Sequence, residues 1–187
     1  FSVIGRTVDD AAGECFDKAA RAMGFPYPGG RFIDEASRLG DHKKYRLPKP
    51  RTQNPYDFSF SGLKTAVINL IHNAEQKGEE IDVNSLAACF QVTVSEILTD
   101  KFIAAAREKG YKKIALAGGV AANSGLRQML SNAAENNGME LFVPPLELCG
   151  DNAAMIGAQA FYELQKGSVA GADLNAYATM SLDNVRF

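Results

Sequence analysis

Residues 112–127 read KKIALAGGVAANSGLR, and this stretch establishes the class of fold. A short apolar run ends at two glycines and passes into residues that favour a helix. The pattern then repeats, because an apolar run at 139–143 is closed by two prolines and followed by a helical stretch near 153–164. Strand, helix, strand and helix in this order predict an α/β fold with two parallel strands joined by a right-handed crossover.

The chain before residue 112 is predicted to be mainly helical. Apolar residues at helical spacing predict helices over about 9–23, 31–39, 61–74 and 83–109. Asp9 and Asp10 suit the N-terminus of the first helix, where carboxylates meet free N–H groups. Ser59 or Ser61 is the expected cap of the third helix. Residues 1–7 alternate in polarity and are predicted to form a strand.

A long loop is expected over residues 40–60, where cations alternate with aromatic side chains. Its cations are Lys43, Lys44, Arg46, Lys49 and Arg51, and its aromatic residues are Tyr45, Tyr56, Phe58 and Phe60. This combination is typical of loops that contact a phosphate backbone and stack bases. It fits equally well a solvated loop whose aromatic side chains pack inward.

Composition excludes several classes of protein. The 187 residues are 46% hydrophobic and 22% charged, as in one globular domain or two small lobes, and unlike a disordered or fibrous chain. The net charge of −2 means that any contact with nucleic acid must be local. The longest apolar runs fall far short of the roughly 20 residues that a membrane span needs. The 3 cysteines have no C-x-x-C spacing, so reduced thiols are expected.

Two polar positions near helix starts carry alternative interpretations. Gly118 and Gly119 precede Asn123, and small residues there let a nucleoside or anion approach a helix N-terminus. The same residues suit a tight turn with Asn123 as a helix cap. Asp151 is either the cap of the last helix or an oxygen ligand of a metal ion.

An acidic group lies on one face of the first helix. Asp10, Glu14 and Asp17 follow the i, i+4, i+7 spacing, and Lys18 can pair with Glu14. These carboxylates suit contacts with a ribose diol or a metal–phosphate centre, or simply form a solvated, ion-paired face. The two histidines lie 30 residues apart without metal-ligand spacing and are expected at the surface.

Five separated motifs occur in the order that one family shows. They are D-D-A-A-G-E-x-F-D-K at 9–18, Y-P-G-G at 27–30, D-F-S-F-S-G-L-K-T at 57–65, A-G-G-V-A-A-N at 117–123 and C-x-D-N-x-A-M-I at 149–156. On these motifs the chain resembles the tRNA N6-adenosine threonylcarbamoyltransferase family, formerly described as O-sialoglycoprotein endopeptidases or glycoproteases. The resemblance covers nearly the whole chain.

The resemblance implies an α/β actin-like ATPase fold with two ribonuclease-H-like lobes and nucleotide held between them. Residues 1–40 would be the end of the first lobe and its linking helices, 41–110 the loop and a helical insertion, and 111–187 the C-terminal nucleotide-binding part. The family's H-x-x-x-H motif and Ser-Gly-Gly loop would precede Phe1. We therefore expect this chain to be a C-terminal part that is inactive alone.

The resemblance also implies a reaction and its binding residues. Threonylcarbamoyl passes from threonylcarbamoyl-adenylate to N6 of the tRNA adenosine beside the anticodon, and AMP leaves. The adenylate contacts carry over onto Asp17, Gly30, Asp34 and Asn123, where ATP or AMP would also bind. Asp151 would be one ligand of an iron or zinc ion whose other protein ligands are two histidines. No catalytic residue is assigned.

The partners implied are tRNA, a paralogous non-catalytic subunit and a small ATPase, in the cytoplasm and without membrane association. Two other functions remain open. One is a non-catalytic half-protein whose helical region docks paralogous subunits. The other is the earlier metallo-glycoprotease assignment, although the sequence carries no H-E-x-x-H motif.

Overall fold

The computed structural model describes residues 2–176, which form six α-helices, two 3₁₀ helices and one sheet of two parallel strands. The α-helices are α1 (Ala12–Ala22), α2 (Gly29–Ser37), α3 (Ser61–Lys77), α4 (Val83–Glu108), α5 (Ser124–Asn136) and α6 (Ala153–Gln165). The strands are β1 (Lys113–Ala115) and β2 (Glu140–Phe142), and the 3₁₀ helices are Gly119–Ala122 and Leu146–Leu148. The predicted α/β class is confirmed for the described residues.

The sheet is built as the strand–helix–strand pattern predicts. β1 pairs with β2 in parallel, with Ile114 opposite Leu141. α5 connects the two strands and packs Leu130 and Ala134 into a small core with Ile114. This arrangement holds the turn after β1 and the start of α5 at one edge of the sheet, which is where the candidate site lies.

The larger core joins α1, α2, α3 and α4. The ring of Phe16 on α1 meets that of Phe90 on α4 edge to face, with centroids 5.2 Å apart. α2 lies against α1 at Gly29, where a Cβ atom would stand 2.2 Å from the Cβ of Ala20. Glycine is therefore required for this close packing, which brings the start of α2 next to Asp17.

The predicted strand at residues 1–7 is wrong for the described residues 2–7. Only Thr7 forms a bridge, with Phe58, flanked by hydrogen bonds from Phe58 N to Arg6 O and from Val8 N to Phe58 O. The loop turns into α3 at Ser61, so the pairing ends after one bridge. Residue 1 lies outside the described residues.

The predicted caps of α1 and α3 are also corrected. No side chain caps α1, whose first flanking residue is Ala11. The residue before α3 is Phe60, and neither Ser59 nor Ser61 caps it. Asp9 instead reaches across the chain to the N-terminus of α3, because its carboxylate accepts hydrogen bonds from the backbone N–H groups of Phe60 and Ser61.

The predictions for α3, α4 and the long loop agree with the structure. α3 and α4 form where helical spacing predicts them, and residues 40–60 contain neither helix nor strand beyond the bridge at Phe58. The expected C-terminal part at 111–187 includes residues 177–187, which lie outside the described residues. Between residues 2 and 176, no helix is both long enough and apolar enough to cross a bilayer.

Candidate functional site

A cavity of about 630 Å³ opens between α1, α2 and the turn that follows β1. Its lining includes Gly13 and Asp17 of α1, Gly30 and Asp34 of α2, and Val120 and Asn123 beyond the sheet. The four residues expected to contact an adenylate, distant in the sequence, are thus brought together. The volume lies within the range of about 300–1,000 Å³ that is usual for small-molecule sites.

Asp17 and Gly30 face the cavity where α1 meets α2. The Oδ1 atom of Asp17 accepts a hydrogen bond of 2.7 Å from the Gly29 N–H, at the positive end of α2. A Cβ atom at Gly30 would meet only the Phe16 Cβ, at 3.9 Å. Packing therefore does not require glycine at position 30, and its missing side chain leaves space for a ligand.

Asp34 joins α2 to the start of α5. Its Oδ1 atom accepts hydrogen bonds from the backbone N–H of Ser124 at 3.1 Å and from the Ser124 hydroxyl at 2.6 Å. Its Oδ2 atom forms an ion pair of 2.9 Å with Arg38 one turn along α2. A carboxylate has about four acceptor positions, two on each oxygen, so Oδ2 retains one position for a ligand hydroxyl.

Asn123 caps α5 and also borders the cavity. Its Oδ1 atom accepts a 2.9 Å hydrogen bond from the Leu126 N–H, so the cap interpretation is confirmed. Its Nδ2 atom donates at 2.7 Å to Oε1 of Gln91 on α4. The turn before it is tight, and Gly118 there has a φ of +93°, which favours glycine.

Asp151 does not line this cavity. Its interpretation as a helix cap is wrong, because Asn152 caps α6 through a 3.0 Å hydrogen bond from the Met155 N–H to its Oδ1 atom. The Asp151 side chain is exposed. Within residues 2–176, no three His, Cys, Asp or Glu side chains lie close enough together to hold a metal ion.

Most of the acidic group on α1 is ion-paired rather than directed into the cavity. Lys18 bridges Asp10 and Glu14, with both Nζ–carboxylate distances at 2.7 Å. This confirms the predicted Lys18–Glu14 pair. The solvated interpretation holds for Glu14, whose side chain is 53% exposed, and not for Asp10, whose side chain is 19% exposed. Asp17 is the member of the group that lines the cavity. Both histidines, at positions 42 and 72, are exposed.

Several aromatic residues of the 40–60 loop pack inward. Phe60 is 1% exposed, and the Tyr45 hydroxyl accepts a 3.0 Å hydrogen bond from the Asp82 N–H. The interpretation of packed aromatic side chains is therefore confirmed for these two residues. Arg46 and Arg51 are exposed, and neither forms an ion pair with any other described residue.

The sequence interpretation missed two residues that support the site, Gln91 and Ser124. Gln91 is 6% exposed although it is polar, and Ser124 bonds to Asp34. Gln91 lies between Phe90 and Val94 on an apolar helix, and a buried amide needs hydrogen-bond partners. This pattern is the sequence signal that indicates a specific role for Gln91. No local pattern identifies Ser124, whose partner lies 90 positions away.

Comparisons with known proteins agree with the motifs. The profile of the tRNA N6-adenosine threonylcarbamoyltransferase family matches residues 1–158. Proteins with this name from Enterococcus faecalis and Bacillus subtilis are each 49% identical to the chain, over 94% and 97% of its length. These alignments cover 51% and 53% of the two relatives. The chain thus spans about half the length of the curated relatives that it matches.

A solved structure shares the fold at low sequence identity. Full-length HypF, crystallised in a phosphate- and nucleotide-bound form, matches 86% of this chain with a TM-score of 0.60 and 20% identity. The match covers 21% of the HypF chain. At this identity the likeness extends to the fold alone.

Proposed function

The chain belongs to the tRNA N6-adenosine threonylcarbamoyltransferase family, and we propose that it is the nucleotide-holding part of such an enzyme. The reaction transfers threonylcarbamoyl from threonylcarbamoyl-adenylate to N6 of the tRNA adenosine next to the anticodon. The observation that carries the proposal is the convergence of Asp17, Gly30, Asp34 and Asn123 on one cavity. The curated relatives are named as transferases, so the glycoprotease alternative is not pursued.

The proposed architecture is a lobe of the actin-like ATPase fold with a helical insertion. The parallel β1–α5–β2 unit and the likeness to a nucleotide-bound structure support it. In this proposal residues 1–40 end the first lobe, 41–110 form the loop and insertion, and 111–187 form the C-terminal nucleotide-binding part. The cavity lies where the first and third of these parts meet.

The cavity residues suit the adenosine half of the adenylate. Asp17 and Asp34 offer carboxylate oxygens to ribose hydroxyls, as charge-assisted acceptors. Gly30 lets the ligand approach the backbone at the start of α2, where the N–H groups favour negative charge. Asn123 lies on the opposite wall of the cavity, immediately before the first residue of α5.

The proposed transfer forms one bond and breaks another at the carbamoyl carbon. The N6 amine of adenosine attacks this carbon, a C–N bond forms, the bond from carbon to the phosphate oxygen breaks, and AMP leaves as N6 loses a proton. This chain's residues hold and orient the adenylate, and orientation of reactants by itself can supply a large part of a rate enhancement. We assign no catalytic residue among them.

Iron or zinc is a further part of the proposal, with Asp151 as one ligand. An exposed carboxylate is a suitable oxygen donor for either ion. A single donor does not fit a metal site, and residues 2–176 contain no group of three ligands. When bound, the metal would act as a Lewis acid near the reacting group. The transfer described above does not depend on it.

The proposed partners are tRNA, a paralogous non-catalytic subunit and a small ATPase, and the proposed location is the cytoplasm. Arg46 and Arg51 are the cations of the 40–60 loop that we propose for contact with the tRNA backbone. We also propose that the chain is inactive without the remaining half of the family's length. A preparation of the chain alone that modifies tRNA would contradict that last point.

The test uses a full-length transferase that contains this chain. Purified protein is mixed with threonylcarbamoyl-adenylate and unmodified tRNA, and the modified adenosine is measured by mass spectrometry of the nucleosides. We expect transfer by the wild type and a KM for the adenylate about tenfold higher in Asp34→Asn, because a charged acceptor is lost. Asp100→Asn is the matched control, since Asp100 is exposed and does not line the cavity. Absence of modified adenosine with the wild type would refute the proposal.

A further inference from the structure

A buried amide on α4 lies between the two walls of the cavity. Gln91 is 6% exposed and is not one of the residues that line the cavity. Its Nε2 atom donates to the Ser37 hydroxyl of α2 at 2.8 Å, and its Oε1 atom accepts from Asn123 at 2.7 Å. α2 carries Gly30 and Asp34, so the Gln91 side chain links the helix of these two residues to Asn123 at the start of α5.

The hydrogen bonds in this bridge have one consistent direction. The Leu126 N–H can only donate, so the Asn123 atom that it contacts must be Oδ1, at 2.9 Å. Nδ2 of Asn123 then points to Gln91, whose Nε2 atom must face Ser37. The Ser37 hydroxyl accepts that bond and donates its own hydrogen to the backbone oxygen of Asp34 at 2.8 Å. Each of these four bonds pairs a donor with an acceptor, and the Asn123 amide has a single orientation.

Gly125 has no side chain where the Gln91 amide lies. A Cβ atom there would stand 2.6 Å from the Gln91 Nε2 atom and 3.1 Å from its Cδ atom. Glycine at this position in the first turn of α5 thus makes room for the Gln91 amide.

We infer that Gln91 is a positioning residue that holds the Asn123 amide and the α2 wall in the arrangement that binds the adenylate. The inference rests on the proposed function. Without the Gln91 amide, Nδ2 of Asn123 loses its buried acceptor, and a buried amide without a partner turns to find another. The side of the cavity that Asn123 forms then no longer keeps a fixed position relative to Asp34. The groups that react are not changed by the substitution.

The experiment measures AMP binding by calorimetry to a full-length transferase that contains this chain. Gln91→Met keeps the length of the side chain and removes both hydrogen bonds, and we expect its dissociation constant for AMP to rise about tenfold. Ser95→Ala is the matched control, one turn along α4, because the buried Ser95 hydroxyl has no partner among the described residues. Its dissociation constant should stay within about twofold of the wild type.

Two further readouts separate positioning from a general loss of structure. In Gln91→Met, the KM for threonylcarbamoyl-adenylate should rise while kcat is retained, because binding rather than the chemical step is affected. Nuclear magnetic resonance with ¹⁵N-asparagine should show a slowly exchanging Asn123 side-chain amide in the wild type that exchanges rapidly in Gln91→Met. Gly125→Ala, which displaces the same amide, replaces Gln91→Met if that variant does not fold.

The outcomes are distinct. If the wild type does not bind AMP, the proposed function fails and this inference fails with it. If the wild type binds AMP and Gln91→Met binds it equally well, only the role of Gln91 is refuted. Equal losses in Gln91→Met and Ser95→Ala also refute it, since the effect would then belong to α4 in general.

Discussion

The Asp9 carboxylate accepts a 2.7 Å hydrogen bond from the backbone N–H of Phe60, which lies 51 positions further along the chain. Burial raises the pKa of Asp9, but hydrogen bonds from Phe60, Ser59 and Ser61 outweigh it and lower the pKa from 3.8 to about 2. The carboxylate thus supplies the N-terminus of α3 with the cap that its own sequence lacks. This contact fixes the segment before α1 to the end of the long loop.

Replacement of Asp9 should destabilise the chain in a pH-dependent way. Asp9→Ala should lower the free energy of unfolding by about 1 kcal/mol near neutral pH, the usual cost of a lost N-terminal cap. The folded-state pKa is depressed, so the contribution is present above the unfolded pKa near 3.8 and is lost as the pH falls toward about 2. Urea denaturation of both proteins between pH 6 and pH 2 measures this.

Glu14→Ala is the control for Asp9→Ala, because Glu14 is an exposed acid that pairs with Lys18 and accepts no hydrogen bond from the N-terminus of α3. Its effect should be smaller than that of Asp9→Ala. A stability difference between wild type and Asp9→Ala that persists unchanged at pH 2 would contradict the role of the charged carboxylate.

Asn123 makes two separable contributions to stability. Asn123→Ala removes both the cap of α5 and the bond to Gln91, and should cost about 1–3 kcal/mol of unfolding free energy. Asn123→Ser keeps a capping oxygen and loses only the amide donor, so it should be less destabilising. Urea denaturation of the two variants, with the exposed Asn132→Ala on the same helix as a control, gives the comparison. Equal losses in both Asn123 variants would show that the cap contributes nothing.

The elements with strong local patterns were predictable from the sequence. The 3.6-residue spacing of Leu63 and Val67 predicted the helix α3, and both residues are fully buried. The two apolar runs at 112–117 and 139–143 predicted the parallel sheet. Motif resemblance predicted Asp17 and Asn123 as site residues, and the structure brings both to one cavity.

Contacts between distant residues were not predictable from local patterns. Asp9 was expected to serve α1, and no spacing rule indicates that its partner is Phe60. At the start of α6, Asp151 and Asn152 are both good capping residues, and the choice depends on backbone geometry. Asn152 has the extended backbone of a cap, with φ −149° and ψ 149°. The strand expected at 2–7 lacks a partner strand among the described residues.

Arg127 should control the loop that leads to Asp151. Its guanidinium donates to Ala121 O in the turn before α5, to Pro144 O at 2.7 Å and to the Cys149 sulfur at 3.0 Å. Arg127→Met leaves these acceptors without a donor and should loosen the loop. Cys149, which is 5% exposed, should then react with iodoacetamide about tenfold faster in the 187-residue chain.

Mass spectrometry of the labelled peptides measures the rate at each cysteine separately. Cys15, which is 0% exposed in the larger core, should keep its rate in Arg127→Met. The neighbouring Gln128→Met is the matched substitution, because Gln128 is exposed and bonds only to Asn132. If Cys149 reacts at the wild-type rate in Arg127→Met, Arg127 does not hold the loop.

The cations of the 40–60 loop should differ in their contribution to tRNA binding. Lys49 is one of the five loop cations predicted to suit a phosphate backbone, but its Nζ atom lies 3.0 Å from a carboxylate oxygen of Glu96 and 3.7 Å from one of Asp100. Its charge is therefore partly neutralised, whereas Arg46 and Arg51 are exposed without an ion pair among the described residues. Reversal of these two arginines should thus weaken tRNA binding more than reversal of Lys49.

Filter binding of tRNA to the full-length transferase at several salt concentrations tests this order. The double variant Arg46→Glu, Arg51→Glu should bind tRNA about tenfold more weakly and with a shallower salt dependence, because phosphate contacts release counterions. Lys49→Glu should lose less, and AMP affinity should be equal in all three proteins because the loop does not line the cavity. Unchanged tRNA affinity in the double variant would remove the loop from tRNA recognition, and loss of AMP affinity would show that the substitutions disturb the fold instead.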